Sequence, residues 1–213
     1  MGRPVRKGQA FLLSIISHTP KPEVMKKLLP IFAIFIHMLL LAQTEVESTA
    51  LRLLPQSKLM ITGSTNVNTF HCVFDTEKIS GQREILYTVK DQCILLDDLD
   101  IRLRAAAFDC GNRRMNEDFC DLLQSDRFPE IRISILKIQP ISEQYCRAFV
   151  KICLAGEQQQ YDLPVLISDS HYQGKLRLNI RDFGLEPPKK ALGLIEVDEE
   201  IEISFDLQVD HSI

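Results

Sequence analysis

Apolar and polar residues alternate with a period of two along most of the second half of this chain, as in strands buried on one face and wet on the other. Residues 144–155 place Ala148, Val150, Ile152 and Leu154 on one face and Arg147, Phe149 and Lys151 on the other. Residues 160–168 turn Tyr161, Leu163, Val165 and Ile167 inward, and residues 174–180 do the same with Leu176, Leu178 and Ile180. A last strand or strand pair, 194–209, sets Ile201, Ile203, Phe205 and Leu207 against Glu202, Ser204 and Asp206. Residues 130–139, with Ile133 and Ile135, form another strand that stops at Pro140. Upstream, two runs flank a bend at Gly63 and Ser64 within residues 58–74, and Phe70, Cys72 and Phe74 share a face. Strands over 84–90, 93–99 and 100–106 follow, with Asp91 and Gln92 as turn. Residues 43–54 read as a lead-in before the turn at Pro55.

One stretch breaks this period. Met115, Phe119, Leu122 and Leu123 recur at helical spacing, which predicts a helix over 116–124 with one apolar face. Asn116 is the expected N-cap, Glu117 and Asp118 lie against the positive end of the dipole, and Pro129 ends the segment. A single short helix among strands is expected to cap or lid them. About eight or nine strands then need either a partner sheet or closure on themselves. Alternation fits a closed barrel and a two-sheet sandwich equally well. The fold class is mainly β.

The N-terminal 42 residues stand apart. From Met25, two lysines precede a fifteen-residue apolar run, Leu28 to Ala42, shorter than the roughly twenty residues a membrane helix needs. The pattern predicts a secretory signal peptide cut after Ala42, with residues 1–24 as an extra segment before it and the domain over 43–213. Six of the 25 basic residues and one of the 29 acidic residues lie in that leader, leaving 19 basic and 28 acidic and a net charge of −9. Such a chain does not attract phosphate backbones, which argues against nucleic acid as a partner.

Chemical signals are few. His71 and Cys72 are adjacent on a strand and therefore point to opposite faces. Asp169, Ser170 and His171 read as turn formers rather than a triad. Asp97, Asp98 and Asp100 lack the spacing and glycine of a calcium loop. Gly63, Ser64 and Thr65 have no following helix with which to cradle a phosphate, and Asn66 and Asn68 are expected to satisfy backbone groups at a strand irregularity. The reading is of no enzyme, no metal and no cofactor. The six cysteines allow fifteen pairings. Cys72 and Cys110 stand out by context (F-H-C and F-D-C); bonded, they would stabilise the fold by roughly 4 kcal/mol, and two separate buried thiols are the alternative.

Three motifs in order resemble the YceI-like family, in a Bacteroidetes-type branch. They are Gly63 to Cys72 (GSTNVNTFHC), the run from Met115 through Leu122 to Phe128-Pro129-Glu130-Ile131, and the ending LRLNIRDFG (176–184), Pro187-Pro188 and LGLIEV (192–197). The resemblance implies a single antiparallel lipocalin-like barrel of about eight strands, with one short capping helix and a Cys72–Cys110 bridge. It also implies export to the periplasm or beyond and a polyisoprenoid or similar amphiphilic chain held in the barrel. Alternation supplies the candidate lining residues: Ile133, Ile135, Val150, Ile152, Val165, Leu178 and Phe205, with Met115, Phe119 and Leu122 of the helix as plug or gate. The expected partner is an isoprenoid-like lipid exchanged at a membrane surface, with the protein a monomer or homodimer. The rival expectation is a non-enzymatic envelope or stress-related protein with a filled barrel and a protein partner.

Overall fold

The structure, a computed structural model, describes residues 46–79, 81–97, 99–190 and 194–210. The leader, the cut after Ala42, Asp98 and part of the 192–197 motif lie outside them. In chain order the elements are β1 (Glu47–Leu53), β2 (Lys58–Ser64), β3 (Thr69–Phe74), β4 (Gly81–Lys90), β5 (Cys93–Asp97), β6 (Asp100–Arg104) and β7 (Phe108–Asp109). Then come helix α1 (Arg113–Leu122), β8 (Glu130–Pro140), β9 (Tyr145–Leu154), β10 (Glu157–Ser168), β11 (His171–Asn179), β12 (Lys189–Lys190), β13 (Ile195–Glu196) and β14 (Glu200–Asp210).

The main sheet closes. Its order β1-β4-β5-β8-β9-β10-β11-β14 returns from β14 to β1, an antiparallel ring of eight strands. β14 is the seam: it pairs with β11 along 200–208, with β2 along 202–206 and with β1 at 209–210. β1 and β2 thus lie end to end along β14, and β4 and β3 answer them in the same order. Likewise β5 and β6 lie end to end along β8. Several strands read as single from their pattern are therefore long strands interrupted by kinks, and closure accounts for the sheet having no long open edge at the seam.

Two expectations need correction here. The lead-in contains β1, the strand that closes the ring. The proposed bend at Gly63 is not a bend: Gly63 pairs with Phe70 inside the β2–β3 hairpin, and a Cβ at Gly63 would collide with the Phe70 ring. The turn is instead at residues 65–68, where the Thr65 hydroxyl accepts from the backbone N–H of Asn68 at 2.9 Å.

The helix begins earlier than the Asn116 signal suggested. Asn112 is the N-cap, its Oδ1 accepting from the Met115 N–H at 3.0 Å. Asn116 lies one turn into the helix and uses its oxygen to accept from the Cys110 N–H at 2.7 Å. Glu117 consequently pairs with Arg113 at 2.8 Å on the helix surface rather than facing the dipole's positive end. The helix stops before Pro129, at Leu123, with Gln124 in left-handed conformation (φ 52°) and the Ser125 N–H donating to Cys120 O at 2.9 Å. Met115, Phe119, Leu122 and Leu123 do form the packed face.

The two ends of the ring differ. At one end are the short turns 91–92, 141–144 and 169–170 and the start of β1. The opposite end carries the 65–68 turn, α1, the 3-10 turn Ile180–Phe183 and the β12–β13 hairpin. There Asn66 latches the C-terminal segment: its Nδ2 donates to Leu194 O at 3.0 Å and its Oδ1 accepts from the Glu196 N–H at 3.2 Å. The expected role of Asn66 is the observed one.

Candidate functional site

Cross-strand partners project to the same side of a sheet, so register defines the lumen wall. Ile133 pairs with Ile152 and with Ile101, and Ile135 pairs with Val150, which pairs in turn with Tyr161. Cys146 pairs with Val165, Val165 with Gly174, Gly174 with Phe205 and Phe205 with Leu59. Leu178 pairs with Ile201. All seven strand residues singled out by alternation therefore share one surface. Gly174 has a clear reason: a Cβ there would sit 2.5 Å from the Phe205 ring, which lies across β11. Val150, Ile152, Val165 and Leu178 are buried, whereas Ile133, Ile135 and Phe205 are half-buried. The wall is packed along β9 and β10 and more open along β8 and β14.

The three helix candidates sit at the latched end. The Phe119 ring lies 5.1 Å from Phe108, which lies 5.0 Å from Phe74. Phe74 and Phe108 are paired across β3 and β7, two residues from the point where the same register brings Cys72 to Cys110. Those two cysteines are bonded and buried. Met115 and Leu122 pack on the same core, so α1 is held to the barrel end by a cluster of three tilted and edge-on phenylalanine rings beside a disulfide. The other cysteines are free; Cys146 faces the lumen, and burial pushes its thiol up, so it stays a small neutral filler.

The lumen also contains polar groups that pattern reading did not single out. Tyr161 turns inward as alternation suggests, but its hydroxyl is sealed from solvent with no hydrogen-bond partner among the described residues. Tyr172 is held above the usual phenol range, first by burial and then by the neighbouring Cys146. Only knowledge of what surrounds each ring reveals this.

Residues weighed for catalysis have structural partners. His71 Nδ1 lies 3.0 Å from the Thr62 hydroxyl. His171 is not in the turn: it opens β11, and its Nδ1 lies 2.9 Å from Asp206 Oδ1, the Gln173 amide donating to the other oxygen at 3.0 Å. The His171 hydrogen bond holds the Asp206 carboxyl below its usual range. Ser170 enters this cluster only through its backbone carbonyl, which accepts from the Val209 N–H at 2.9 Å. Among the described residues, no three His, Cys, Asp or Glu side chains are grouped to hold a metal ion. A surface cleft of about 460 Å3 lies beside α1, but Asp109, Glu117, Asp121 and Asp126 are among its lining residues, an environment unsuited to an apolar chain.

Comparison with known proteins agrees with this architecture. No curated protein matches the chain. Among solved structures, BcnA of Burkholderia cenocepacia is similar, with TM-score 0.52 and 17% identity over 73% of this chain and 96% of that one. A Campylobacter jejuni YCEI protein gives TM-score 0.46 at 10% identity over 80% and 87% of the respective chains. The model of the YceI-like domain matches residues 43–209, most of the sequence and all eight strands of the ring, and the chain belongs to that family.

Proposed function

We propose that this protein is an exported, non-enzymatic carrier that holds a polyisoprenoid or similar amphiphilic chain in its barrel lumen. The observation that carries this reading is the largely apolar wall that β8, β9, β10, β11 and β14 present to the inside of a closed eight-stranded ring, part of it left half-buried. An eight-stranded barrel is just wide enough for one small ligand. Each CH₂ taken from water contributes about 0.8 kcal/mol, so such a wall retains a long tail without a set of specific polar contacts. The leader from Met25 supports export to the periplasm or beyond, and the Cys72–Cys110 bond suits that oxidising setting. The same bond, with the Gly63–Cys72 opening, supports placement in the Bacteroidetes-type branch.

Native mass spectrometry of protein purified from a membrane-containing host tests the proposal. A bound mass of a few hundred daltons is expected. An empty spectrum, together with no uptake of long-chain isoprenoids, overturns it in favour of a filled-barrel envelope protein, the reading favoured by the buried Val150, Ile152, Val165 and Leu178.

A further inference from the structure

Tyr161 stands in the row Ile135–Val150–Tyr161, in the middle of the lumen wall. Its ring is half-buried and stacks on Phe183, centroid to centroid 6.4 Å, and Phe183 is 1% exposed at the latched end of the barrel. The hydroxyl, however, is sealed from solvent and meets no hydrogen-bonding group among the described residues. Tyr87 shows the contrast: its hydroxyl donates to Glu47 Oε2 at 2.7 Å. A buried hydroxyl without a partner loses its hydration and gains nothing in return. Native folds seldom keep such a group without a reason, and one set in a ligand-sized barrel points to a bound molecule as the missing partner.

Resting on the lumen reading above, we infer that Tyr161 is a specificity-determining residue: its hydroxyl pairs with an uncharged terminal oxygen, an alcohol or carbonyl. The ligand then lies with its oxygen end toward Phe183 and its hydrocarbon along Val150, Ile135 and Val165. Because the hydroxyl is sealed, the side chains beside it part as the chain end arrives. Charge selects the class of head group. Burial, and then the negative charge of nearby Asp182, hold the Tyr161 phenol neutral. A phosphate or carboxylate brought to that sealed position would lose its hydration without a cation to pair with, next to the negative charge of the exposed Asp182. The site therefore takes prenyl alcohols or quinone-like carbonyl compounds in preference to prenyl phosphates.

The test is a native mass-spectrometric titration of the purified protein and of Tyr161→Phe with geranylgeraniol, geranylgeranyl diphosphate and squalene. The wild type is expected to bind the alcohol more tightly than the diphosphate. Tyr161→Phe removes one oxygen and keeps the ring; it is expected to bind the alcohol about tenfold more weakly, as loss of one neutral hydrogen bond predicts, and squalene equally well. The melting temperature of the ligand-free variant should not fall. Unchanged affinity for the alcohol overturns the assignment, and so does an equal loss for squalene, which marks packing alone. If the wild type binds squalene but not the alcohol, Tyr161 loses its role while the lumen reading stands. If it binds none of the three, both fall.

Discussion

The two ends of the barrel are built on opposite principles. At the latched end, Cys72, Ala105, Phe183, Leu103 and Leu185 are buried as deeply as any of the described residues. A disulfide, an edge-on aromatic cluster, a capped helix and the Asn66 latch converge there. At the turn end, Val46, Val89, Ile141 and Tyr145 stay exposed, Ile141 at 61%. Nothing among the described residues covers them. Exposed apolar side chains occur at the latched end too, Val67 and Leu194, but there they flank a buried and cross-linked centre; on the proposed carrier function, the end joined by short turns is the candidate mouth.

Mutations can break or sharpen that contrast. Cys72→Ser with Cys110→Ser should cost the most, about 4 kcal/mol for a loop of 38 residues, read from urea unfolding with and without reductant. Phe119→Ala comes next. Its ring is half-buried, so a loss of about 2 to 3 kcal/mol is expected, below the range for a fully buried ring. If α1 is a plug, that loss appears in unfolding while isoprenoid release keeps its rate; faster release with little loss of stability would make the helix a gate and reverse the assignment of the two ends. Asn112→Ala, which removes the N-cap, should cost about 1 kcal/mol, read as a lowered urea midpoint. Ile141→Ser at the mouth should change stability by no more than about 0.5 kcal/mol. A larger loss at Ile141 would mean that the turn end is packed against something and is no mouth.

Much of this fold was legible in the sequence, and the misses have physical causes. β9 was read within a residue at each end because five apolar side chains alternate without interruption. β1 was missed because only Leu51 and Leu53 mark its inner face while Glu47 and Thr49 are exposed. Its strand state comes from hydrogen bonds to β4 and β14, distant in sequence. Asn112 and Asn116 are both plausible caps locally. The choice falls to Asn112 because Asn116 is engaged by the Cys110 N–H at the point where the disulfide halts the strand. The seven wall residues followed from parity, whereas the isolation of the Tyr161 hydroxyl did not, since it depends on which side chains elements distant in the chain, such as the turn carrying Phe183, bring near it.

By itself the sequence determined which residues face inward, that one amphipathic helix interrupts the strands, and which family the motifs resemble. Side-chain parity and helical spacing are local properties, set by backbone geometry within a few residues. Only the tertiary structure decided that the sheet closes through β14, that Cys72 meets Cys110, and that α1 packs on the core at one end of the barrel. These depend on contacts between segments far apart in the chain, where register and closure, rather than any residue's own preference, choose the partner.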